Sequence, residues 1–213
     1  MTQTARRRSQ GSNRGGRPAT LTPERVVAAA VEILDEEGLE ALTMRRLGAH
    51  LGVAAMSLYR HVPNRDALLA EVVTHLFTEA VIELGPAEPW DEALTRFAGA
   101  YRETLLAHPH AVPLLATHPV DTDRGLALLA GLLGRFAASG VGEQDALTVV
   151  QSVAVYVLGH ALAQVGTPSG TAPAQATTDP AATAFYDRWF EAGLAAMVSG
   201  FERRLAGDDR PTR

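Results

Sequence analysis

The chain has 213 residues, 46% of them hydrophobic, with no cysteine; that length can bury a full core, and the missing cysteine excludes disulfides, thiolate metal sites and cysteine nucleophiles. No uninterrupted apolar run approaches the roughly 18 residues that span a bilayer, and no apolar stretch follows the charged N-terminus, so a cytoplasmic protein with neither secretory signal nor membrane contact is expected. The net charge of −5 hides a split: residues 1–66 carry ten Arg against seven Asp and Glu (+3), and residues 67–213 carry nine against seventeen (−8), so one end attracts phosphate and the rest repels it.

Residues 1–20 hold Arg6, Arg7, Arg8, Arg14 and Arg17, no acid, and little that can pack. They are expected to be a disordered basic tail, either solvated or acting as an arm along a DNA backbone. A first helix is signalled by Thr22 as N-cap, Pro23 at the first helical position and Glu24 behind it. Val27, Ala30, Val31 and Leu34 follow at helical spacing, and Gly38 is expected as a left-handed C-cap. Leu39 and Leu42 return to the core, Thr43 caps a second helix with Leu47 and Leu51 inward, Gly52 turns the chain and Val53 plugs the turn. Residues 54–61 read as a third helix, Pro63 stops it, and Asn64 caps a fourth. The fourth is predicted to present Leu68, Leu69, Val72, Val73, Leu76, Phe77, Ala80, Val81 and Leu84 as one wide face, and to run until Gly85-Pro86. It would pack on the first three helices at its start and on the remaining chain at its end, a lever between the two.

Trp90 to Ala107 reads as a helix, and Pro109, Pro113 and Pro119 confine residues 108–119 to short helical pieces. Thr122–Ser139 and Glu143–Val165 read as helices separated by Gly140 and Gly142. Residues 166–183 are a small-polar loop expected to be mobile, and residues 184–205 a last helix with Phe185, Trp189, Ala192, Ala196 and Ser199 along one side. No alternating strand pattern appears. The fold class is all-α: a three-helix head over residues 21–66 and a larger helical body over residues 67–213.

The stretch Thr43–Val62 carries the functional signal. Two short helices are broken at Gly52, and the second places Ser57, Tyr59, Arg60 and His61 on one side and Leu58 and Val62 on the other. That is the layout of a helix-turn-helix whose second helix lies in the DNA major groove. Ala54 and Ala55 are small enough for close approach, and Met56 and Ser57 would be the main base readers, Met56 through apolar contact alone. Tyr59 offers a hydroxyl to phosphate; Arg60 suits guanine or phosphate; His61 and Arg65 are backbone candidates. Thr43 both caps and faces phosphate, Arg45 faces the groove, and Arg46 is read as solvated or intramolecular. Each has a structural alternative: Tyr59 or Met56 as core, His61 or Thr43 as caps. One head makes too few contacts for specificity, so a homodimer on a palindromic duplex is expected, joined by a four-helix bundle of residues 143–165 and 184–205 from each subunit.

From Leu21 to Val72 the chain closely resembles the DNA-binding head of tetracycline-repressor (TetR) family regulators, on the amphipathic first helix, "GLEALTMRRLGAHLGV" and "SLYRHVPNRDALL". Further on, "LLATHPV" and "WFEAGLAAMVSGFERRL" look like the body of the tetracycline-repressor subgroup. The resemblance implies a homodimer, a helical ligand-binding body and repression relieved by a small molecule. It also implies histidines near the fourth and sixth helices that hold an antibiotic and its magnesium. Here the comparable stretches read Glu79-Ala80-Val81-Ile82 and Val112-Pro113-Leu114-Leu115, with His118 a few residues on. No metal or cofactor is therefore expected.

A largely apolar effector would sit among the middle helices, with Phe97, Tyr101, Leu105, Leu115, Phe136, Tyr156, His160 and Trp189 as candidate walls and Gln151 and His160 as polar contacts. Each of these is also readable as plain core. No phosphate loop or nucleophile elbow appears, His108/His110 and His50/His61 lack metal spacing, and Asp35-Glu36-Glu37 reads as a solvated helix end, so an enzyme is not expected. The favoured function is a ligand-responsive repressor. An effector-independent or activating DNA binder, and a helical small-molecule-binding protein or enzyme whose head docks protein, remain as alternatives.

Overall fold

The computed structural model describes residues 21–85, 87–118, 120–166 and 179–207; the basic tail and most of the loop after Val165 lie outside the described residues. Among these the fold is all-α, without a strand: α1 (Pro23–Glu37), α2 (Met44–Leu51), α3 (Ala55–Leu58), α4 (Arg65–Glu79), α5 (Trp90–Ala107), a 3₁₀ turn (Pro109–Ala111), α6 (Val112–Thr117), α7 (Thr122–Ala138), α8 (Glu143–Val165) and α9 (Pro180–Gly207).

The head forms where the caps dictate. Thr22 Oγ1 accepts from the Arg25 amide, Thr43 Oγ1 from Arg46 and Asn64 Oδ1 from Ala67, satisfying amides that the first turns of α1, α2 and α4 would otherwise orphan. α1 packs on α2 and α4, and α2 on α3, around the fully buried Ile33, Leu34, Leu42, Leu47, Leu58 and Leu68. In the body α5 is the central helix, packed on α4, α7, α8 and α9. Phe77 meets Phe97 and Tyr101 edge-on, and Trp90 stacks on Phe136 at 4.8 Å between ring centres.

Four local expectations are corrected. Gly38 has positive φ (83°) but ψ of 174°, so it redirects the chain in an extended form and is not a left-handed cap. The third helix is α-helical only over Ala55–Leu58; Tyr59 keeps helical angles, and the amides of His61 and Val62 both converge on the Leu58 carbonyl. Pro63 disfavours a helical residue before it, so the chain leaves through a tightened turn. α4 ends at Glu79, short of Leu84, because Ile82 and Leu84 leave the helix to pack beside Phe97 and the α7 residues Leu128 and Leu132. α9 starts at Pro180, within the expected loop, because Asp179 Oδ1 accepts from the Ala181 amide and Pro180 suits the first helical position.

α8 contains an 18-residue window of mean hydropathy 1.6, long and apolar enough by composition to cross a membrane. Gln144, Gln151, Ser152, His160 and Gln164 punctuate the helix, so it holds no uninterrupted apolar run of that length. Its apolarity serves two sides: Val149, Val153, Val157 and Ala161 enter the core, while Val155 and Leu162 stay exposed opposite them.

Candidate nucleic-acid interface and body cavity

α3 is held from inside and bare outside. Leu58 is 0% and Val62 3% exposed, whereas Met56 is 76% and Tyr59 43% exposed, with Arg60 beside them. A four-residue helix has no stability of its own, so it exists because Leu58 and Val62 anchor it and because α2 approaches closely. Gly48 makes that approach: a Cβ there would lie 2.9 Å from the Val53 carbonyl oxygen and 3.2 Å from the Ala55 amide. Gly52 supplies the left-handed turn (φ 68°, ψ 29°), its amide donating to the Ala49 and Gly48 carbonyls. The sequence reading names Gly52 and misses Gly48, whose signal is a lone glycine inside a short helix.

The structure brings Thr43, Arg45, Met56, Tyr59 and Arg60 to the head's surface, with Ala55, Ser57 and His61 half-buried among them. Thr43 uses its oxygen as a cap at 3.1 Å and remains exposed. Arg65 is exposed but tethered: Nε donates to the Leu42 carbonyl at 3.0 Å and an NH₂ group to Leu39 at 3.1 Å, closing the corner between α1 and α2. Arg46 pairs with Glu37, its Nε 2.9 Å from one carboxylate oxygen, and holds that carboxyl below its ordinary range.

Head and body are clasped at the far end of α1. His108, at the C-cap of α5, sets Nδ1 2.8 Å from Asp35 of α1 and Nε2 3.3 Å from Glu79 of α4. His75 faces the other Glu79 oxygen at 3.2 Å, and His110 Nδ1 reaches the Leu34 carbonyl at 3.1 Å. The acidic run Asp35-Glu36-Glu37 is thus only partly a solvated helix end: Asp35 joins the body and Glu37 joins α2.

A cavity of about 750 Å³ lies between α7 and α8, floored by Val73 and Phe77 of α4, Tyr101 of α5 and Leu115 of α6, and open to solvent along α8, where Gln144, Thr148, Gln151 and Val155 are exposed. Of the expected walls it collects Tyr101, Leu115 and Gln151, and adds Gln144 and Thr148. Phe97 faces a small separate void with Ile82 and Leu84. Leu105 and Phe136 are closed in the core. Tyr156, His160 and Trp189 form a different cluster between α8 and α9. There His160, 3% exposed, lies 4.8 Å from Trp189 and 5.3 Å from Phe190 between ring centres. Burial, and then Arg102, push the His160 pKa below its usual value, which favours a neutral ring. The Tyr156 hydroxyl donates to the Phe190 carbonyl at 3.0 Å. The polar stripe Gln144-Thr148-Gln151, at i, i+4 and i+7 and exposed throughout, reads from sequence as the solvent face of a helix, so nothing local marks it as a cavity wall.

Burial raises the Tyr101 phenol to about 12. Its folded pKa exceeds the ordinary value near 10, so the protonated form favours the fold: this contribution is complete below about pH 10 and is lost between about pH 10 and 12. Denaturant unfolding across pH 9–12 should show that loss in the wild type and a smaller one in Tyr101→Phe.

Comparison with known proteins follows the same division. Residues 26–72 match the sequence profile described as "Bacterial regulatory proteins, tetR family", and residues 84–184 match "Tetracyclin repressor-like, C-terminal domain". An HTH-type transcriptional regulator of Saccharopolyspora erythraea is 31% identical over 198 residues, covering 84% of each chain. Apo ActR of Streptomyces coelicolor superposes with a TM-score of 0.70 at 30% identity, covering 89% of this chain and 97% of that one; ActR has also been solved with actinorhodin. BioQ, known from Mycobacterium smegmatis, superposes in its complex with a double-stranded DNA operator with a TM-score of 0.62 at 28% identity, covering 85% of this chain and 98% of that one.

Proposed function

The chain belongs to the tetR family of bacterial regulatory proteins, and from that premise we propose that it is a ligand-responsive transcriptional repressor that binds a palindromic operator as a homodimer and leaves it when a small molecule enters the body. In this reading residues 21–66 are the DNA-binding domain, residues 67–213 bind effector and partner subunit, and the protein works on DNA in the cytoplasm with no catalytic step and no cofactor. The observation that carries it is the split at α3: Leu58 and Val62 lie inside while Met56, Tyr59 and Arg60 stand outside. An apolar anchor with a basic, hydroxylated outer face suits a helix entering a groove.

Thr43, Arg45 and His61 would hold phosphates, Met56 and Ser57 would face base edges beside Ala55, and Tyr59 and Arg60 would serve either. Arg65 would act chiefly by fixing the α1–α2 corner. The exposed apolar residues Leu162 of α8 and Phe185 and Trp189 of α9 would meet their copies in a four-helix bundle. The switch would be a population shift, an effector favouring a body whose α4 and clasp hold the two heads at the wrong separation. The cavity favours this reading over an effector-independent regulator, because α4 contributes Val73 and Phe77 to its wall while its first turn packs in the head.

Footprinting on the DNA upstream of its own reading frame tests the proposal. Protection of a palindrome that weakens steeply between 50 and 200 mM salt is expected from several phosphate contacts per subunit; a salt-independent footprint, or none, would refute it. Tyr59→Ala is expected to weaken operator binding by about 1–3 kcal/mol with the helical content unchanged. Unaltered affinity at fixed salt would place the phenol outside the interface.

A further inference from the structure

Resting on the reading of the cavity as an effector site, we propose that it accepts a neutral or cationic molecule with one oxygen- or nitrogen-bearing edge on an otherwise apolar frame, and rejects anions. The charge of the walls comes first. Among the described residues lining the cavity there is no arginine or histidine, and the one ionisable carboxylate is Asp121. Two helix N-termini open beside it and would on their own favour an anion, but acids already meet both. Asp121 accepts from the Arg124 amide at 3.2 Å with Asp123 in the same first turn of α7, and Glu143 and Asp145 stand in the first turn of α8. Arg124, on that turn of α7, is engaged with Glu71 at 2.8 Å. An anionic ligand would therefore meet like charge and no counter-charge on these walls, whereas an ammonium group could approach Asp121.

The distribution of polarity gives the frame. Gln144, Thr148 and Gln151 lie successive turns apart on α8 and span about 10 Å along it. The Thr148 hydroxyl donates to the Gln144 carbonyl at 2.8 Å, which leaves its oxygen to accept; the two amides offer both donors and acceptors. The floor opposite, Val73, Phe77 and Leu115, is apolar apart from the Tyr101 hydroxyl. A ligand satisfies both sides when its polar substituents lie along one edge.

Three probes on one hydrocarbon frame test this against the full-length protein by calorimetric titration: 9-anthracenemethanol, 9-(aminomethyl)anthracene in its protonated form, and anthracene-9-carboxylate. The alcohol and the amine are expected to bind, the amine more tightly through Asp121, with the carboxylate at least about tenfold weaker for want of a partner to its charge. Asp121→Asn, which can still cap α7, should erase the amine's advantage over the alcohol. Gln151→Leu should weaken the alcohol about two- to tenfold. Binding of the carboxylate as tight as that of the alcohol, or an amine advantage that survives Asp121→Asn, overturns the inference and leaves the effector reading standing. If none of the three binds while the operator footprint persists, both the inference and the assignment of the cavity to an effector fall.

Discussion

Replacing Leu162 and Phe185 together by glutamate is expected to yield a folded monomer whose operator affinity is about 10²–10⁴-fold below that of the wild type, the factor that joining two binding modules supplies. Leu162 is 39% and Phe185 55% exposed, so neither substitution opens a cavity or strands a buried charge within one subunit. In the proposed bundle the same residues meet their copies or close neighbours across a two-fold axis, where added carboxylates on both sides would repel and lose their water. The head is untouched, so half-site contacts survive and the loss measures the second head. Sedimentation should show one subunit and circular dichroism an unchanged helical content. A double variant that remains a dimer with full affinity would move the subunit contact off α8 and α9.

Leu58→Ala is expected to cost about 2–5 kcal/mol of stability, the usual range for emptying a fully buried leucine site. Leu58 is 0% exposed and is the one side chain of α3 wholly inside the head. With a single turn and no side-chain cap at Ala54, α3 would be left to Val62 and the contact with α2, so operator binding should fall further than stability alone requires. The two are separated by measuring affinity at a temperature where the variant is still folded. A Leu58→Ala protein that binds operator normally under those conditions would show that α3 needs no anchor from within.

Most of the architecture was legible because its signals are local. Thr22-Pro23 starts α1, Trp90–Ala107 and Glu143–Val165 appear with the bounds their periodicity predicts, and Gly52 turns left-handed as required. The misses share a different cause. Nothing at Ala80 forbids helix; α4 stops there because Ile82 and Leu84 are taken up by α5 and α7, a preference invisible to a window of neighbours. The Asp179-Pro180 start of α9 was readable, and the small-polar composition around it masked the cap. Thr43, Arg45, Met56, Tyr59 and Arg60 could be grouped from sequence because one helix-turn-helix periodicity governs them. The cavity could not, since it is the space the packed helices leave between them. Large apolar residues were natural candidates for its wall, yet Phe136 and Leu105 fill the core, and the turn-spaced Gln144, Thr148 and Gln151 sit where room remains.

α4 has one more implication. Its 15 residues make a rod about 22 Å long, with its first turn seated among the head helices and Phe77 near its last turn. Tilting such a rod by about 5° moves the far end by about 2 Å, comparable to a base-edge hydrogen bond. A guest that displaces one aromatic ring by a fraction of its own width can therefore misalign a reading helix at the opposite end, with no unfolding, no hinge and no relay of intermediate parts.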